Sequence, residues 1–206
     1  MRDHTSVEFA RSIMGRNFIG KKELETIDPP LFLITENIPE IPFSKEGMIA
    51  HKDDYMLILG QSDFINGQPV TIRNFRVIYG VDPNIKEPCF YNQDWYENEI
   101  FIDQKMENKW YFIRKAVYAD SRAVQPFDLL KKYTFPSAID CTYAFFVAWL
   151  SLGVKLWKED FIWCRDTDHN GDRIYVGRYY DADKVNKNGF NVHRHLALRS
   201  CYGCID

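Results

Sequence analysis

A chain of 206 residues with a net charge of −3 has room for one large domain, and its charge argues against general affinity for nucleic acid, which needs a clearly basic surface. Hydrophobic residues at 46% and charged residues at 27% match ordinary globular usage, so a full-sized core is expected. Aromatic residues at 16% are abundant enough to fill that core and leave rings over for a binding surface.

In chain order, Thr5-Ser-Val-Glu8 reads as a capping box before a short helix that Gly15 closes. A second short helix is expected after Gly20, ending before Pro29-Pro30. Residues 28–43 carry four prolines in DPPLFLITENIPEIPF and read as an extended connector with a short strand at 31–35. Residues 1–43 are therefore expected to form a helical appendage, and 44–206 the main α+β domain.

YMLIL at 55–59 has the composition of a buried strand. Thr71 is placed to cap a helix over 72–79, with Gly80 as its stop. Asp94-Trp-Tyr-Glu97 resembles another capping box, predicting a helix to about Gln104, and WYFIRKAV at 110–117 reads as a strand. Ser137-Ala-Ile-Asp140 is the strongest helix start in the chain. The following run to Trp157 is apolar nearly all round, so this helix should be covered on several sides. Asp140 and Lys155 leave only about fourteen uncharged residues between them, short of the ~20 a membrane span needs.

FIWCRDTDHNGDRIYVGRYY at 161–180 places Asn170-Gly171 between two β-prone runs, predicting a hairpin with a type I′ turn. Residues 190–200 alternate as one more strand, with Val192, Arg194, Leu196 and Leu198 on one side. His193, His195, Ala197 and Arg199 fall on the other.

Several motifs carry possible chemistry. Asp166-Thr-Asp168-His-Asn170-Gly-Asp172 matches the start of a calcium loop, but its twelfth position is Gly177 where Glu is needed, and strands flank it rather than helices. An acidic hairpin tip is the simpler reading. His193 and His195 with Cys201 and Cys204 are four zinc-type ligands, although His-x-His arises readily by chance. Asp94, Glu97, Glu99 and Lys105 resemble a nuclease cluster, and equally a solvated helix. Residues 105–132 hold seven Lys/Arg against three Asp/Glu, and 173–199 six against two; both read as solvated loops, with nucleic-acid binding as a third possibility. Five cysteines without framework spacing, and no apolar run in the first twenty residues, predict free thiols and a cytoplasmic location.

If the Ile174 side of the hairpin faces the core, Tyr175 and Tyr179 are exposed beside Arg173, where Tyr and Arg would serve as binding anchors. The other reading is that a second layer covers them. The expected binding surface is thus Asp166, Asp168, Asn170 and Asp172 with Arg173, Tyr175 and Tyr179. Its expected partner is a protein or small molecule, without membrane contact and without a cofactor. The rival is a metal-dependent hydrolase or nuclease using His193, His195 and nearby carboxylates.

FPSAIDCTYAF, DFIWCRD, RIYVGRYY and GFNVHRHLALRS follow one another as the helix start, Trp-Cys strand, hairpin and last strand of bacterial C-type-lectin-like domains do. The chain resembles the formylglycine-generating/sulfatase-modifying-factor type and the Fibrobacter paralogous-domain group over about seventy residues. FYNQDWYENE and WYFIRK would occupy the earlier half. The resemblance implies a C-type-lectin-like α+β scaffold. Cys201 and Cys204 do not reproduce the spaced cysteines of the oxidising enzymes, so it does not imply oxidase activity.

Overall fold

Ser137 and Asp140 cap each other's backbone: Ser137 Oγ accepts from Asp140 N at 3.1 Å, and Asp140 Oδ2 accepts from Ser137 N at 3.0 Å. From that box runs the long helix Ala138–Leu152, which Gly153 ends in the left-handed conformation at φ 68°. The computed structural model, describing residues 5–180, 188–194 and 198–206, is built around this helix as an α+β fold. Its apolar perimeter is covered on several sides, as an all-round apolar helix requires.

Before it in the chain come α1 (Val7–Met14), β1 (Phe18–Ile19), α2 (Lys21–Glu25), α3 (Lys45–His51), β2 (Tyr55–Leu59), α4 (Ile72–Tyr79), β3 (Trp110–Arg114) and α5 (Pro126–Leu129). The capped helix is α6, followed by β4 (Phe161–Thr167), β5 (Arg173–Gly177), β6 (Asn191–His193) and β7 (Tyr202–Gly203). Among the described residues the strands form two mixed sheets, ordered β1-β2-β3 and β6-β5-β4-β7. Helix α6 packs against both, touching β1 of the first and β4 and β5 of the second. On another side it meets α4, the Phe146 ring centroid lying 5.1 Å from those of Phe75 and Phe90 and 4.8 Å from that of Tyr79.

The strand at 55–59 and the helix from Thr71 to Gly80 form where expected, and the strand expected over 110–117 forms over its first five residues, Trp110–Arg114. Other expectations are corrected. Ser6, not Thr5, caps the first helix, accepting from Phe9 N, while Thr5 donates to Phe43 O. Within the expected 1–43 appendage, the described residues from 5 on do not stand apart: β1 pairs in parallel with β2, and Ala10, Met14, Phe18, Ile19 and Leu24 join the main core. Prolines exclude ladder pairing there but do not prevent burial, and the connector is held by Trp110 Nε1 donating to Pro39 O at 2.8 Å. Its expected strand is reduced to a single bridge between Phe32 and Phe64.

The helix expected from 94 to 104 is a chain of turns ending in a 3₁₀ segment, Ile100–Asp103. Here Glu99 is drawn inward while Ile100 is 88% exposed, the reverse of what an amphipathic helix would arrange. Glu99 meets the backbone N–H of His169 at 3.0 Å, so a tertiary hydrogen bond outweighs local propensity.

The hairpin forms, but without the type I′ turn. Thr167 pairs with Arg173, leaving five loop residues, of which Gly171 at φ 86° takes the left-handed conformation and Asn170 does not. Asp168 organises the loop instead: Oδ1 accepts from Asn170 N at 2.9 Å and Asp172 N at 2.8 Å.

Tyr175 and Tyr179 are both buried, which corrects the expectation that they are exposed. Tyr175 does lie opposite Ile174 and Val176, but a second apolar cluster of Leu129, Phe135, Phe161, Trp163, Tyr202 and Cys204 covers that face. Tyr179 reaches the α6 side because Gly177 (φ 117°) and Arg178 (φ 40°) break the strand alternation just before it. Its ring lies 4.6 Å from that of Trp149 and 5.6 Å from that of Phe145.

Candidate functional site

The face of β5 and β6 that points away from α6 opens into a cleft of about 290 Å³. Its deepest wall is aromatic. Tyr175 and Tyr202 lie 4.9 Å apart, Phe161 meets each edge-on at 5.1 Å, and His193 lies parallel to Tyr175 at 5.3 Å. Burial pushes the Tyr175 hydroxyl well above the usual phenol range, and it donates to Arg194 O at 3.1 Å. Nearer solvent stand Arg178, Arg199, Tyr180, Tyr91 and Gln93.

Arg178 is held in place by its backbone. Its N–H donates to Trp157 O at 3.0 Å and Asp160 O at 2.8 Å, and its carbonyl accepts from Asn191 Nδ2 at 2.8 Å. Asn191 is itself buried in the cleft wall. Trp157 (φ 44°) and Arg178 (φ 40°) both occupy the left-handed region that side chains disfavour. Such residues persist only where their surroundings over-determine them, and they concentrate at binding sites. Gly177 cannot be replaced cheaply beside them, because a Cβ would lie 2.6 Å from Asp160 O. The guanidinium of Arg178 spans Phe161, 5.9 Å from its ring centroid, and approaches Cys201 Sγ at 3.5 Å.

Tyr91 and Gln93 come from far away in the chain. A parallel bridge joins Phe90 to Phe190, with Tyr91 N donating to Phe190 O at 3.0 Å. Gln93 Oε1 is buried and has no hydrogen-bond partner among the described residues.

Of the residues expected to bind, only Tyr175 lines this cleft. Asp166 faces inward, accepting from Ala138 N at 2.6 Å and Gln104 Nε2 at 2.8 Å, where it serves the start of α6. Arg173 donates to Cys164 O and Arg165 O and lies over Phe135. Tyr179 donates to Glu87 Oε1 at 3.0 Å, beside Cys89. Asn170 and Asp172 stand exposed at the loop tip, and Asp168 bonds Arg194 Nη1 at 2.7 Å. Arg178, Arg199, Asn191, Gln93, Tyr91 and Tyr202 had no signal in the sequence as a group; the break in alternation at Gly177-Arg178 was the one local hint.

The metal expectations divide. Glu99, Asp168 and His169 offer ligand atoms within 4.8 Å of one another. Their oxygens are already engaged: Glu99 by His169 N and Nδ1, Asp168 by Arg194 and two backbone N–H groups. A cation there would have to displace Arg194. His193, Cys201 and Cys204 do not gather as a ligand group among the described residues, and His195 lies outside them.

Thiol reactivity should single out Cys201. Cys89, Cys141, Cys164 and Cys204 are buried, and burial raises each thiol, that of Cys204 to about 11. Native iodoacetamide labelling followed by peptide mass spectrometry should therefore modify Cys201 first, with the other four protected until denaturant is added. Equal labelling of Cys204 would show that the second cluster opens readily.

Among the described residues no helix is long and apolar enough to cross a membrane. Compared with family models, curated proteins and solved structures, the chain matches none.

Proposed function

We propose that the chain is a non-catalytic recognition domain that holds a small ligand in the cleft between Tyr175, Tyr202 and Arg178, on a C-type-lectin-like scaffold in the cytoplasm. The observation that carries it is Arg178, kept in a disfavoured backbone conformation by buried Asn191 and presented to an aromatic-lined concavity. Guanidinium, carboxamide and phenol groups of this kind bind and orient, whereas the neighbouring carboxylates are spent on α6 and on the hairpin loop. The scaffold reading draws support from the order of capped helix, hairpin and closing strands, of which the hairpin and closing strands line the cleft. Five free thiols suit a reducing compartment.

The test is a small-fragment screen by two-dimensional amide NMR on the full chain. Binders should move the amides of Tyr91, Arg178, His193 and Tyr202 together. Shifts mapping to the 168–172 loop, or no cleft binder at all, would remove the proposal.

A further inference from the structure

We infer that the ligand of this cleft is a small organic anion with a planar ring, an aryl phosphate or aryl carboxylate; the inference rests on the recognition reading above. Charge is the first observation. The described lining contains Arg178, Arg199 and His193 and no carboxylate. The chain as a whole has more acidic than basic residues, and five of its twelve arginines are paired with carboxylates of the fold. Arg11, Arg73, Arg76, Arg122 and Arg194 each meet a carboxylate of the fold. Arg178 instead touches a thiol and a ring, and Arg199 is exposed without an ion pair among the described residues.

A guanidinium offers parallel N–H donors that match the two oxygens of a carboxylate or phosphate. Burial in a concave, ring-lined site strengthens that interaction relative to open solvent.

Shape is the second observation. Tyr175, Tyr202 and Phe161 form an apolar wall against which a flat ring can pack edge-on or offset. A volume of about 290 Å³ lies at the low end for small-molecule sites, which sets the size at one ring with its acidic group. Gln93 Oε1, buried and unpartnered among the described residues, would accept a hydrogen bond from a hydroxyl or amide beside that group.

The experiment is isothermal titration of the full chain with phenyl phosphate, inorganic phosphate and benzyl alcohol, followed by amide NMR. Phenyl phosphate should bind in the cleft with a dissociation constant of about 1 mM or below, and at least about tenfold tighter than either half-ligand. It should slow iodoacetamide labelling of Cys201, which lies against Arg178. Arg199→Gln removes an exposed side chain, so the fold should keep its thermal midpoint while affinity falls about tenfold. Benzyl alcohol binding as tightly as phenyl phosphate, or R199Q binding unchanged, would overturn the anion assignment and leave the cleft as a recognition site. If no probe moves a cleft amide or protects Cys201, the anion assignment is lost. The recognition reading falls with it only if the fragment screen is also silent at the cleft.

Discussion

Arg194→Ala should destabilise the chain by roughly 2–4 kcal/mol, read as a lower urea midpoint with the slope unchanged. Arg194 Nη1 bonds Asp168 Oδ2 at 2.7 Å and lies 3.7 Å from Glu99 Oε1, and its guanidinium stacks 4.5 Å over Trp95. The Asp168 side chain is 0% exposed beneath Arg194, so removing that partner leaves a carboxylate held, among the described residues, only by the Asn170 and Asp172 N–H groups. Arg194 is itself 20% exposed, which keeps the cost below that of a fully buried pair. Asp168→Asn combined with R194A should recover part of the loss, since the orphaned charge is then gone.

The same substitution should shift the acid limb of stability. Burial pushes the Asp168 carboxyl up, but Arg194 and the N–H groups of Asp172 and Asn170 outweigh it and hold the group below its ordinary value. A carboxyl lowered on folding contributes stability that is present above its unfolded pKa, about 3.9, and disappears as pH falls through the folded value. Without Arg194 the lowering shrinks or reverses, so acid unfolding should begin at higher pH. Identical acid limbs in wild type and R194A would show that the pair is solvated in solution.

Gly189→Ala is the second large effect, expected to cost roughly 2–3 kcal/mol. A Cβ at Gly189 would lie 2.4 Å from Tyr91 N, 2.5 Å from Tyr91 Cα and 2.6 Å from Phe90 C. All three are backbone atoms, so no side chain can swing aside; the two segments must separate. Separation strains the bonds Tyr91 N to Phe190 O and Phe190 N to Cys89 O, which attach one wall of the cleft to the second sheet. Ligand binding should therefore fail in G189A even at temperatures where the chain stays folded. Gly67→Ala is the control: its φ of 78° carries strain, but a Cβ meets nothing within 4 Å. It should cost about 1 kcal/mol and leave binding intact. Equal losses from both substitutions would mean that the contact at Gly189 is soft.

The elements legible in the sequence are those whose determinants lie within a few residues of one another. Ser137 and Asp140 start α6, Thr71 and Gly80 bound α4, and the uniform apolar run at 55–59 makes a buried strand, whatever the rest of the chain does. The α+β class follows from such local signals. Burial direction did not, wherever a neighbour could outbid local pattern. Glu99 turns inward to meet His169, and the paired positive φ values at Gly177 and Arg178 send Tyr179 toward α6. The N-terminal segment is in the core because β2 accepts β1 along its edge, a fact of pairing that no proline count reveals. The cleft is the extreme case. Tyr91, Arg178, His193 and Tyr202 reach it from four separate stretches, brought together by the Phe90–Phe190 bridge and by β7 lying beside β4. Chain-local chemistry determined the elements; close packing between distant segments decided which side chains share a site.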